Sequence, residues 1–178
     1  MLVIVTGAPR SGTSLMMQML VAAGLPVHQD DRRLADTSNP RGYLELERVK
    51  SLPGNSRALD DLESGAVKVI YALAYFLPAN RRYKFLVMER EPGEILASQS
   101  AMLQGQSVPA MTVDELRDEL EEFRHWVQTQ SNIEHLFVAH RDLVQRRGIE
   151  AVARFIGAPE KSAEMADCVR PELWRQRR

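Results

Sequence analysis

A short apolar run, a glycine-rich turn and an apolar helix succeed one another at the start of this chain, and that succession constrains the fold most. Residues 2–5 read Leu-Val-Ile-Val and close on Thr6-Gly7. A partly β-branched run with no polar alternation is a strand buried on both faces, as in a parallel sheet. Residues 7–12 are a loop, and residues 13–23 an apolar helix stopped by Gly24. Further strand candidates are 66–70, 83–88 and 136–139, the second of these being the clearest. Helical stretches lie between them: 71–77, ended by Pro78; 92–103, with Pro92 at its first position; and a long amphipathic helix from Thr112 to about Gln130. Thr112 caps that helix, with Glu115 at the reciprocal capping-box position. Residues 142–146 and 149–156 are helices, 43–52 reads as helical up to Pro53-Gly54, and Asn55 caps a short helix through 62. Residues 26–42 have little periodicity, and 104–111, with Gly105 and Pro109, is the best candidate for a mobile loop. Strands alternating with helices predict a three-layer α/β/α fold with a mostly parallel central sheet.

Composition sets the limits. A chain of 178 residues, 44% hydrophobic, buries roughly two-thirds of its unfolded surface as one domain, here residues 1–178. Its net charge of −1 gives no global attraction to nucleic acid or to an anionic membrane. An anion site must therefore be a local concentration of arginines and backbone amides. The single cysteine, Cys168, excludes an internal disulfide, and the four histidines show no metal-ligand spacing. The N-terminus has no basic region ahead of its apolar run, and that run is strand-length. A cytoplasmic protein without a membrane segment is expected.

The loop itself reads Gly7-Ala8-Pro9-Arg10-Ser11-Gly12-Thr13-Ser14. Its glycine spacing is that of a phosphate-binding P-loop. Glycines let the backbone approach an anion closely, amides converge on it, and the helix N-terminus adds partial positive charge. Ser11, Thr13 and Ser14 supply hydroxyls. The lysine that a nucleoside triphosphatase places after the second glycine is replaced by Thr13, and a cation stands inside the loop instead, at Arg10. That suits a substrate whose reacting group sits on its first phosphate, with no bridging Mg²⁺.

A second cluster reads Arg90-Glu91-Pro92-Gly93-Glu94-Ile95-Leu96-Ala97-Ser98. Arg90 follows the 83–88 strand, at the carboxyl end where open α/β sheets bind ligands. Ser98 lies almost two turns along the next helix, so guanidinium and hydroxyl can converge on one phosphate. A salt bridge between Arg90 and Glu94 is the other reading of this segment.

These residues resemble the PAPS-dependent sulfotransferases, where PAPS is 3'-phosphoadenosine 5'-phosphosulfate. Residues 6–14 are similar to the 5'-phosphosulfate loop in its Pro-Arg-Ser-Gly-Thr form, and residues 90–98 to the 3'-phosphate pattern. Asn39-Pro40-Arg41-Gly42-Tyr43-Leu44-Glu45 resembles a segment of bacterial members, and Val138 to Leu143 with Phe155-Ile156-Gly157 a late part of the fold. The resemblance implies PAPS as co-substrate, no metal, and a small-molecule or peptidic sulfate acceptor. Pro9, Arg10, Ser11, Gly12, Thr13 and Ser14 would hold the phosphosulfate, with Arg10 also carrying charge that builds on the leaving phosphate. Arg90 and Ser98 would hold the 3'-phosphate.

Three departures matter. Where cytosolic members carry Lys-x-His on a middle strand, this chain has Lys68-Val69-Ile70, so the histidine base is missing. Glu45 becomes the candidate base, with Glu47 second; a solvated glutamate at a helix start is the alternative. Lys68 becomes a candidate for stabilising the transferring sulfuryl oxygens, or is an ordinary strand-end lysine. The aromatic residue that stacks on adenine falls at Leu15, and the C-terminal arginines replace a glycine-rich motif. Two other functions stay open: a nucleotide kinase or triphosphatase with a variant P-loop, Glu89 acting as its acid, and a non-catalytic nucleotide-binding module.

Overall fold

The computed structural model describes residues 1–30, 32, 42–103 and 111–170. The loop at 104–110, the Asn39-Pro40-Arg41 part of the third motif and the terminal arginines beyond Arg170 lie outside the described residues.

Four strands, β1 (Leu2–Gly7), β2 (Gly65–Lys68), β3 (Tyr83–Glu89) and β4 (Ile133–Ala139), form one sheet in the order β2-β1-β3-β4. All three pairings are parallel. Among the described residues there are seven α-helices: α1 (Thr13–Ala22), α2 (Tyr71–Ala74), α3 (Pro92–Leu103), α4 (Val113–Thr129), α5 (His140–Val144), α6 (Ile149–Phe155) and α7 (Ser162–Ala166).

Strand alternation builds two cores, one on each face of the sheet. Val3, Val5, Leu86, Met88 and Val138 pack with α1, α5, α6 and α7, and Met16, Met17 and Met19 are all fully buried there. Leu2, Ile4, Val67, Phe85 and Val87 pack on the other face with Phe123 and Val127 of α4 and with Leu52, Leu59 and Leu62. The continuous apolar runs of β1 and β3 follow from this: every residue of β1 is buried whichever face it takes. The result is a three-layer α/β arrangement.

Two expected helices take other forms. Only Glu47–Ser51 winds, as a 3₁₀ turn, within the stretch 43–52. The residues before it are held extended by polar pairing: the Asp30 amide donates to the Glu45 carbonyl at 2.9 Å, and the Glu47 amide to the Asp30 carboxylate at 2.6 Å. The stretch 55–62 is a series of turns closed by bonds such as Ala58 N–H to the Asn55 carbonyl and Leu62 N–H to the Leu59 carbonyl, spaced three residues apart. β4 begins three residues earlier than its apolar pattern indicates, because Glu134 and His135 extend the ladder despite their polarity. A short 3₁₀ turn at Pro159–Lys161 and helix α7 add to the elements the sequence pattern indicates; Met165, Cys168 and Val169 bury there beside α1.

Candidate anion site at the sheet switch point

The connection after β1 runs to β2 on one side, and that after β3 runs to β4 on the other. The carboxyl ends of these adjacent strands therefore flank the crevice where chain direction reverses, the place an open α/β sheet leaves for a ligand. Residues 7–14 leave β1 at this point, and Arg90 follows β3.

The loop is built on constrained backbone. Gly7, at φ 143, lies so close to β3 that a Cβ there would come within 2.6 Å of the Met88 carbonyl oxygen. The Ser11 amide donates to the Ala8 carbonyl at 3.0 Å, closing a turn with Pro9 second and Arg10 third. Arg10 takes φ 77. A type II turn asks for this geometry and prefers glycine in that position, so a side chain here is held at the expense of backbone strain. Gly12, at φ 103, precedes α1, and a Cβ on it would meet His140 Cδ2 at 2.6 Å. Behind it, the first-turn amides of α1 have no acceptor within the helix.

Arg10 reaches across to α3, where its Nε donates to Ser98 Oγ at 3.0 Å. Gln99, the next residue, donates to the Pro9 carbonyl at 3.0 Å. α3 therefore lies along the outer wall of the loop, with Ile95 packed in one cluster with Ala8. Ser98, expected from sequence to converge with Arg90 on one phosphate, accepts here from Arg10. Arg90 turns instead to the backbone, its Nη1 donating to the Arg10 carbonyl at 2.9 Å and its Nε to Glu94 at 2.9 Å. The Arg90–Glu94 pair is buried, its side chains 8% and 9% exposed.

The hydroxyls expected to face an anion divide in two. Ser11 is buried against Gly7, and its Oγ has no hydrogen-bond partner among the described residues. Its N–H is taken up by the Ala8 carbonyl in closing the turn. Thr13 is buried and Ser14 half-buried. Ser14 Oγ accepts from Lys68 Nζ at 3.0 Å. In β2, Lys68 shares the face of Ala66, which packs on the α1 side, so its side chain projects beside the start of that helix. Lys68 also donates to the Tyr43 carbonyl and lies 3.4 Å from Glu45 Oε1; its side chain is 4% exposed against 26% for Glu45. The two residues named from sequence as candidate base and sulfuryl-stabilising cation thus stand in contact, next to the loop.

The nearby groups differ in how well the sequence announced them. His140 begins directly after β4 and packs its ring against Gly12; burial, then the Arg90 charge, push its imidazole down to about 4, against a smaller upward pull from Glu94. Its place at the carboxyl end of a strand was the signal available for it. Gln99 and the Tyr43 carbonyl carried no signal. Glu89, the acid of the alternative reading, pairs with Arg124 of α4. His28 lies at the other end of the sheet, its Nε2 2.6 Å from the Ser64 carbonyl beside the first residue of β2.

Among the described residues no group of three or more His, Cys, Asp or Glu is placed to hold a metal ion, and no helix is long and apolar enough to cross a membrane. Set beside known proteins, the chain matches no protein-family model and no curated protein.

Proposed function

We propose that this chain is a sulfotransferase of the P-loop fold that moves a sulfuryl group from PAPS to a hydroxyl or amine of an acceptor. The observation that carries this reading is the 3.0 Å bond from Arg10 to Ser98, which joins the two sequence motifs that resemble the two phosphate sites of that family. Arg10, Gly12, Thr13 and Ser14 would receive the 5'-phosphosulfate, with Pro9 and Ser11 shaping the turn. Arg90 and Ser98 would hold the 3'-phosphate, Arg90 remaining oriented by Glu94. The acceptor oxygen or nitrogen attacks sulfur as the bond from sulfur to the bridging phosphate oxygen breaks. Its proton passes to Glu45, while Arg10 and Lys68 carry charge on the departing phosphate and the sulfuryl oxygens. 3'-Phosphoadenosine 5'-phosphate (PAP) leaves with the bonding electrons.

Two other readings have an observation each. Lys68 brings a cation to the start of α1 from a neighbouring strand, which favours a nucleotide kinase or triphosphatase that supplies its phosphate-binding lysine from outside the loop. The Glu89–Arg124 pair weighs against Glu89 as its acid. The burial of Lys68 favours a module that binds nucleotide without transferring a group.

Calorimetry without Mg²⁺ separates them. PAP should bind at least tenfold more tightly than ADP, and Arg90→Met should weaken PAP more than ADP, because a charge-assisted bond to the 3'-phosphate contributes ~2–3 kcal/mol. Equal affinities for the two ligands, or binding and turnover of ATP only with Mg²⁺, would overturn the proposal. PAP binding without sulfate transfer from PAPS to any of a broad panel of alcohols, phenols and amines would leave the binding module.

A further inference from the structure

We propose that Glu94 is a positioning residue for the anion loop, acting on it through Arg90. This rests on the reading of residues 7–14 as an anion site, and not on sulfuryl transfer. The loop has an unusual requirement: a bulky residue, Arg10, sits at φ 77 in the turn position that glycine prefers. Such a conformation persists where surrounding contacts over-determine it. Among the described residues, three such contacts come from one direction. Arg90 Nη1 bonds the Arg10 carbonyl, Ser98 accepts from the Arg10 side chain, and Gln99 bonds the Pro9 carbonyl. Arg90 lies in the two-residue link between β3 and α3, and the other two residues lie on α3.

Two of these braces grip the peptides on either side of Arg10: Gln99 holds the Pro9 carbonyl and Arg90 the Arg10 carbonyl. A guanidinium on a single backbone carbonyl has many orientations open to it. Glu94 removes that freedom: it stands one helical turn on, at i+4, and takes the Nε edge at 2.9 Å while Nη1 reaches the loop. Both side chains are buried, so the pair is little screened by solvent and its geometry is held by packing. The carbonyl of Arg10 is thereby turned toward Arg90, into the protein, before any anion arrives. Glu94 also balances the Arg90 charge close to His140. The mechanism is preorganisation: the loop need not be ordered by its ligand.

A double-mutant cycle read by amide hydrogen exchange tests the relay in the ligand-free protein. Glu94→Leu should speed exchange of the Ser11 amide, whose bond to Ala8 closes the turn, at least tenfold, while amides inside β3 change in step only with global stability. In an Arg90→Met background the same change should add less than twofold, since the relay is already broken. The Arg90→Met/Glu94→Leu protein keeps an apolar, uncharged interior and remains testable if a single variant fails to fold; Glu94→Gln is the milder single substitution. Glu94 variants should also weaken ADP, which touches only the loop, and weaken PAP at least as much, since Arg90 loses its orientation as well. Unchanged Ser11 exchange, or equal effects of the Glu94 change with and without Arg90, would overturn the inference. Selective tightening of PAP in Glu94→Gln would overturn it too, by making Glu94 a competitor of phosphate for Arg90. If wild-type protein binds PAP no better than ADP, the sulfotransferase reading fails while the exchange result still decides the relay.

Discussion

Gly12 shows how much one missing side chain decides. Its φ of 103 and the His140 ring 2.6 Å from where a Cβ would stand are separate penalties, one of backbone strain and one of overlap. Gly12→Ala should therefore lower unfolding stability by about 2–4 kcal/mol in urea titrations. Gly148, at φ 72 with nothing within 4 Å of an added Cβ, supplies the control: Gly148→Ala should cost only about 1 kcal/mol of strain. His140 adds a pH dependence. Its folded value of about 4 lies below its ordinary 6.5, so between these values the unfolded chain takes up a proton that the folded protein refuses. The associated stability is complete above pH 6.5 and is lost as pH falls to 4, a change of about 3 kcal/mol. His140→Gln should flatten the acid limb of stability between those pH values. A limb unchanged by that substitution would assign the effect to other groups.

At the scale of elements, α3 and α4 are set by local chemistry of two kinds. α4 carries its own start signal: Thr112 accepts from the Glu115 amide at 3.2 Å, and Glu115 accepts from the Thr112 amide at 2.7 Å. Thr112→Ala should cost about 1 kcal/mol and Thr112→Ser little, measured by chemical denaturation. Both the cap and Pro92 at the head of α3 were readable directly, because they depend on neighbours within four residues. The stretch 43–46 was not. Its periodicity suits a helix, but Asp30 and Lys68 claim its backbone groups, and Leu44 takes φ 52. Partners distant in sequence outweighed local propensity there. The turns of 55–62 bury Ala58, Leu59 and Leu62 without forming an α-helix, and nothing in their spacing distinguishes the two.

For the whole molecule, the order β2-β1-β3-β4 matters more than the count of strands. It places β1 beside β3, so the loop at 7–14 and Arg90, 80 residues apart in the Arg90–Arg10 contact, meet at one crevice. A ligand held there links α1, α3 and two central strands, and should stabilise the folded state as a unit. PAP at one hundred times its dissociation constant should add about 2.7 kcal/mol. For a chain of this size that is a rise in melting temperature of roughly 5–10 °C, followed by calorimetry or circular dichroism. The same excess of inorganic sulfate over the PAP dissociation constant should give a smaller rise, since it contacts only the loop. Equal rises would mean that the second phosphate position contributes nothing.

Local sequence was enough to announce the α/β class, the buried parallel strands, the glycine loop with its internal arginine, and the capped helix, because each depends on residues close together in the chain. Only the tertiary structure decided which partners the charged groups take. Arg10 went to Ser98, Arg90 to the loop backbone as well as to the Glu94 that its four-residue spacing already offered, and Lys68 to Ser14, Tyr43 and Glu45. The physical reason is that a long cationic side chain can reach several acceptors. For the partners distant in sequence, strand order and helix placement select among them, and neither is written in the spacing of the residues themselves.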